Sequence, residues 1–193
     1  MNARWRADPA GAGSPVAGIV VGVGRVSGGR LPIPGLDESL GGLLDDARLS
    51  RRFDGGVAAA FLVQAPDGRP LHAPCRGRIV AARSAADRRP RLACLLRGPI
   101  GTVALLALAE PGGEPISAPF GSDDGGLEGE EIEIDAGDEL TAPVPTGSVV
   151  IVAFEPGRVV VDPRVRVGER TAVGDPLASA ALAVADEIPR GEA

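Results

Sequence analysis

The residues with the clearest chemical potential are Gly147 and Ser148, in the run Val-Pro-Thr-Gly-Ser-Val-Val-Ile-Val-Ala-Phe-Glu-Pro-Gly at 144–157. A serine hydroxyl can attack the carbonyl of the residue before it. The resulting ester can break by β-elimination, which cuts the chain and leaves a ketone, a pyruvoyl group, at the new N-terminus. Such a ketone is an electron sink of a kind that ordinary side chains do not supply. Glycine suits the position before the serine because it tolerates the strained backbone that the attack needs. The plainer reading of the same dipeptide is a turn feeding a buried strand. The rest of the chain has to decide between them.

Other chemistry is limited by what the sequence lacks. The 193 residues carry 20 basic and 26 acidic side chains, a net charge of −6, which argues against nucleic acid as a partner. Every basic residue is Arg. Without Lys there is no internal Schiff-base lysine, no pyridoxal phosphate anchor and no complete Walker A motif. Tyr is absent and His72 is the single His, so groups that titrate near neutral pH are scarce. Cys75 and Cys94 are too few and too far apart for a metal site even with His72 added, so no metal is expected. Buried free thiols in a reducing cytoplasm are the default for such a pair. The longest apolar runs, 103–109 and 149–154, fall well short of a membrane span. Residues 1–9 lack the apolar stretch of a secretory leader.

The elements that must position Ser148 read as β. Short apolar runs at 18–26, 56–63, 78–82, 91–96, 102–109, 131–134, 149–154 and 159–161 recur between Gly and Pro turns, a pattern of all-β or β-rich domains. One helix is expected over 36–49, where Leu36, Leu40, Leu43, Leu44 and Ala47 keep helical spacing, starting at Asp37 or at the Gly35-Leu36 turn. Residues 178–185 read as a short helix or a trailing end. The expected organisation is a flexible tail over 1–13, one domain over 14–180 with a mobile acidic loop near 111–130, and a tail over 181–193. The fold class is mostly β: a single domain of short antiparallel strands similar to a barrel-sandwich hybrid, with one or two short helices. Biotinyl and lipoyl carriers use that architecture, but they hang their cofactor on a Lys that this chain lacks.

Taken in order, several segments resemble the phosphatidylserine decarboxylase family from about Ser14 to Leu177. Ser14-Pro-Val-Ala-Gly18 is similar to that family's Ser-Pro-x-Asp-Gly element, and the stretch 36–44 to the segment that follows it. Phe53-Asp-Gly-Gly and the strand at 58–62 come next. His72-Ala-Pro-Cys-Arg-Gly77 resembles the His-x-Pro-x-x-Gly signature, and 91–96 with 98–105 resemble the paired core strands. Ala136-Gly-Asp-Glu-Leu140 and Gly147-Ser148 resemble the cleavage region, with Phe154-Glu-Pro-Gly157 after it.

The resemblance implies a pyruvoyl-dependent decarboxylase. It implies that Ser148 is the pyruvoyl precursor, that Gly147 supplies the attacked carbonyl, and that His72 is the base that activates the serine. Three family positions differ: Ala17 stands for the priming Asp, Arg69 for a second His, and Val149 for the Thr after the serine. Asp67 and Glu139 are the candidate replacement carboxylates, and Arg69 is a candidate anion contact for the substrate. The implied substrate is phosphatidylserine or a related amino-acid headgroup. The expected setting is the cytoplasm, with peripheral contact at the inner membrane of a bacterium, and exposed β edges suggest a homodimer. The losses at 17, 69 and 149 equally suit a non-cleaving relative that acts as a binding or scaffold protein. A carrier-like β domain of a multiprotein complex is a third reading.

Overall fold

The computed structural model describes residues 10–65, 68–85, 89–118 and 131–181. In chain order the elements are β1 (Ala12–Gly13), β2 (Gly18–Arg25), α1 (Leu40–Leu44), α2 (Ala47–Ser50), β3 (Val57–Leu62), β4 (Gly77–Ala85), β5 (Arg91–Gly98), β6 (Gly101–Leu108), β7 (Ile132–Ile134), β8 (Val149–Phe154), β9 (Val159–Val161), β10 (Arg170–Thr171) and β11 (Pro176–Ala180). The strands form an eight-stranded sheet, in the order β10-β2-β3-β8-β6-β5-β4-β7, and a three-stranded sheet, β1-β11-β9. Every registered pair is antiparallel. The mostly-β, single-domain expectation holds, with two short helices. The large sheet stays open between β10 and β7, so no barrel closes among the described residues.

Antiparallel sheets commonly leave one face wet and then alternate apolar with polar residues. Here both faces are covered, which explains the unbroken apolar runs of β6 and β8. Side chains alternate across a strand. Val150, Val152 and Phe154 of β8 join Val103, Leu105 and Ala107 of β6 in one core, closed by Ala12, Leu177 and Ala178 of the small sheet and by Leu71, Ala73, Leu140 and Val144. Ile151 and Ala153 join Ala104, Leu106 and Leu108 on the other face, beneath Leu40, Leu43, Leu44 and Phe53.

The expected helix over 36–49 is two helices. Ser39 Oγ caps α1 by accepting the Gly42 N–H at 3.1 Å, so neither Asp37 nor the Gly35-Leu36 turn starts it. Asp45 then adopts a left-handed φ of 54°, and Asp46 caps α2 by accepting the Arg48 and Leu49 N–H groups. Two adjacent glycines weaken the first helix, and paired Asp residues favour a cap over a helix interior. Other boundaries shift too. Ala12 and Gly13, placed in the tail by sequence, pair with β11. Of the stretch 178–185, read as a short helix or a trailing end, 178–180 is strand and 182–185 lies outside the described residues. Of the acidic loop, 111–118 is turn and irregular chain with Ile116 buried, and 119–130 lies outside the described residues.

The end of β8 is fixed by Glu155, whose side chain is 12 % exposed. Its carboxylate accepts the Thr102 N–H at 2.9 Å and the Arg52 Nε–H at 3.0 Å. Burial pushes its pKa up, but the Thr102 N–H and the Arg52 charge outweigh that and hold it below the ordinary value. A depressed carboxylate stabilises the fold above its unfolded pKa and loses that contribution as pH falls through the folded value. Glu155→Gln should therefore cost about 2 kcal/mol at neutral pH. The gap between wild type and variant should close below about pH 4. Urea unfolding at pH 7 and pH 3 measures both.

Candidate active site

Strand β8 runs between β3 and β6, with Val149 opposite Leu62 on one side and Leu108 on the other. The residues just before it meet Val63 in an irregular pair. The Gly147 N–H donates to the Val63 carbonyl at 2.9 Å, and the Val63 N–H donates to the Ser148 carbonyl at 2.9 Å. Two residues thus oppose one, as in a β-bulge whose first residue is a left-handed glycine. Gly147 has φ 84°. The Ser148 N–H also closes onto the Pro145 carbonyl at 3.2 Å, and a positive φ at the third residue marks this as a type II turn. Turn and bulge together hold the Gly147–Ser148 peptide in a conformation that few residues other than glycine adopt.

Ser148 is fully buried, in the alternation row of Val150, Val152 and Phe154. Among the described residues its Oγ is the buried side-chain atom with no hydrogen-bond partner. A buried hydroxyl left unpaired costs about 1–3 kcal/mol. The site therefore holds a buried, unsatisfied hydroxyl directly after a left-handed glycine.

His72 is placed by backbone hydrogen bonds on both sides. Leu71 and Ala73 bond to the 138–141 segment, through Thr141 Oγ1 at 3.1 Å, the Leu140 N–H at 2.7 Å and the Asp138 carbonyl at 2.8 Å. The His72 N–H points the other way and donates to the Pro15 carbonyl at 2.9 Å. This sets the histidine beside the 14–18 segment, where Ala17 occupies the Asp position of the resembled motif. The ring is half-buried, and its Nδ1 lies 2.9 Å from the Gly137 carbonyl. A carbonyl only accepts, so Nδ1 carries the proton in the neutral ring and Nε2 keeps the lone pair. A backbone carbonyl thus sets the tautomer that a carboxylate sets in a serine–histidine–aspartate triad.

The other predicted residues divide. Glu139 lies directly opposite His72 in an isolated antiparallel bridge, in the non-hydrogen-bonded type of pair that brings side chains closest. Arg69 is exposed and bridges Val144. Its bridge to Val144 and that of His72 to Glu139 are separate and differ in register. Asp67 lies outside the described residues. No hydrogen bond joins His72 to Ser148, whose Oγ has none. Cys75 and Cys94 are buried free thiols, pushed up to about 12 by burial and so poor nucleophiles. No metal-binding cluster occurs among the described residues.

One residue escaped the sequence reading. A Cβ built on Gly147 would lie 2.6 Å from Glu110 Oε1 and 3.1 Å from its Cδ. The Glu110 carboxylate therefore occupies the space that a side chain at 147 would fill. The register that pairs Leu108 with Val149 carries Glu110 there, and only that register could have revealed it.

Fold and site define a class: a mostly-β domain with a buried Gly-Ser pair at the mouth of a central strand. The chain is similar to a phosphatidylserine decarboxylase proenzyme of Anaeromyxobacter sp. (strain K), with 31% identity over 198 residues covering 87% of this chain and 70% of that protein. It belongs to the phosphatidylserine decarboxylase family. No family model matches the chain, and no solved structure matches it.

Two substitutions test the site's energetics in the uncut chain. Ser148→Ala removes an unpaired buried hydroxyl and should raise stability by about 1 kcal/mol. Gly147→Ala forces a Cβ into a left-handed position against Glu110 and should lower it by about 1–3 kcal/mol. Paired thermal melts read the opposite signs.

Proposed function

We propose that the chain is a self-processing, pyruvoyl-dependent decarboxylase that removes CO2 from phosphatidylserine or a related amino-acid headgroup. The observation that carries this reading is the buried, unpartnered Ser148 Oγ, on a bulge that fixes its peptide to left-handed Gly147. His72, with its lone pair on Nε2, takes the serine proton. Glu139 stands opposite it across the bridge. Val149 brings no hydroxyl to the oxyanion. Once formed, the pyruvoyl ketone supplies the electron sink for loss of CO2. The protein's own part is to bind the headgroup, for which exposed Arg69 offers a bidentate contact to phosphate or carboxylate. Peripheral contact with a bacterial inner membrane and homodimerisation through sheet edges belong to the same reading.

A second reading rests on the replacements themselves. With Ala17, Arg69 and Val149 at three family positions, an uncut chain would act as a binding or scaffold protein.

Denaturing mass analysis separates the two. The enzyme reading expects fragments 1–147 and 148–193, the smaller blocked by a pyruvoyl group, and Ser148→Ala should abolish both the cut and CO2 release from phosphatidylserine. An intact 19.5 kDa chain would leave the scaffold reading in place.

A further inference from the structure

We infer that β9, Val159–Val161, is the edge through which the chain pairs with a second copy of itself, antiparallel and two-fold symmetric about Val160. This rests on the homodimer reading above and names the edge, and it holds for the cut and the uncut chain alike.

The outward-facing groups follow from the inner ladder. β9 ends the three-stranded sheet and is registered with β11. The Asp162 N–H donates to the Leu177 carbonyl at 2.9 Å, and the Arg158 carbonyl accepts the Ala181 N–H at 2.9 Å. Hydrogen-bonded and non-hydrogen-bonded positions alternate along an antiparallel pair, so Val160 also bonds inward. Val159 and Val161 turn their N–H and carbonyl groups the other way, where no strand lies among the described residues. No turn, loop or side-chain hydrogen bond among those residues reaches them. Buried backbone groups are almost always paired, so an unpaired row belongs at the surface. The side chains agree. Val159 packs against the main core, alternation turns Arg158, Val160 and Asp162 outward, and Val160 is 61 % exposed.

The sequence around Val160 is self-complementary. A two-fold there sets Val159 of one copy against Val161 of the other, and each such pair exchanges both of its N–H···O=C bonds. Val160 meets Val160 at the closer, non-hydrogen-bonded spacing. The next positions oppose Arg158 to Asp162 on both sides, and opposite charges directly across a pair are favourable. Asp162 is already held by Arg164 at 2.8 Å, so Arg158 of a second copy joins an existing ion pair. The other edges lack this match. β7 has Glu133 at its centre, so self-pairing would set like charges face to face. β1 and β10 are two residues long, and the Gly13 N–H is taken by the Pro74 carbonyl. Natural edges are commonly blunted by charge, proline or a bulge, and β9 carries none of these within it. A contact built on three residues a side belongs to the small, weak class below about 1,200 Å².

The test is sedimentation velocity from about 10 μM to about 1 mM on wild type and Val160→Lys, with circular dichroism and thermal melts. Wild type should move from monomer towards dimer across this range. Val160→Lys should melt like wild type and associate about tenfold more weakly or less, as edge charges do. Oxidation of Val160→Cys and Val167→Cys checks the register. Facing residues in such a pair have Cα atoms about 4.5 Å apart, within disulfide reach. Val167 is 63 % exposed and serves as the control, while Cys75 and Cys94 are buried, with thiols pushed up to about 12. Val160→Cys should cross-link at least about tenfold faster than Val167→Cys. A dimer that Val160→Lys leaves intact, or that Val167→Cys traps as fast as Val160→Cys, overturns the edge and leaves homodimerisation standing. A wild type that stays monomeric throughout overturns both. Self-cleavage is read separately, from the fragment masses.

Discussion

The constraint on which the rest depends is the position of β8 between β3 and β6, hydrogen-bonded along its length on both sides and buried on both faces. A strand so placed has no freedom to slide, because a shift of one residue would turn every side chain to the opposite face. Any irregularity in the ladder is pushed to its ends. At the N-terminal end that irregularity is the Gly147–Ser148 bulge opposite Val63, and at the other it is the Glu155 carboxylate gripping Thr102 and Arg52. The bulge is thus the point where a rigid sheet meets a turn. A serine on it cannot rotate away into water, and a break there leaves the following strand held on both sides.

The site's polar balance follows from the same burial. The Ser148 hydroxyl is kept from water and given no partner, so the uncut fold carries a cost that cleavage would remove. His72 lies in a different layer of constraint, between the 137–141 segment and the Pro15 carbonyl. The Gly137 carbonyl fixes its tautomer but brings no full charge. A backbone carbonyl orients His72 where a catalytic triad would use an Asp, and Glu139 stands opposite the ring across an isolated bridge.

Sequence made the strands legible because burial on both faces writes them as continuous apolar runs cut by Gly and Pro. It made Gly147, Ser148 and His72 legible because their chemistry is scarce in a chain with no Lys, no Tyr and one His. The break between α1 and α2 was hidden because it turns on Asp45 adopting a left-handed backbone, a choice set by the caps around it. The pairing of Ala12 and Gly13 with β11 was hidden because two small residues carry no periodicity. Glu110 was hidden for a different reason. Its proximity to Gly147 is a property of strand register between segments almost forty positions apart, and composition does not encode register.

Self-cleavage and turnover make unequal demands on such a site. A chain cuts itself once, so a rate reduced by several orders of magnitude still yields mature protein within the life of a cell. Decarboxylation repeats, and every lost factor appears in each cycle. In the proposed reaction Ala17 and Val149 bear on the first process, where the Gly137 carbonyl and Glu139 flank His72. In the same proposal Arg69 stands where the resembled motif has a second His, and a guanidinium cannot exchange a proton near neutral pH. Exposed Arg69 is suited to holding an anion and unsuited to proton transfer. The two steps of the proposed reaction are therefore separable in this chain: the machinery for making the ketone is rearranged, while the group for using it has changed its chemistry.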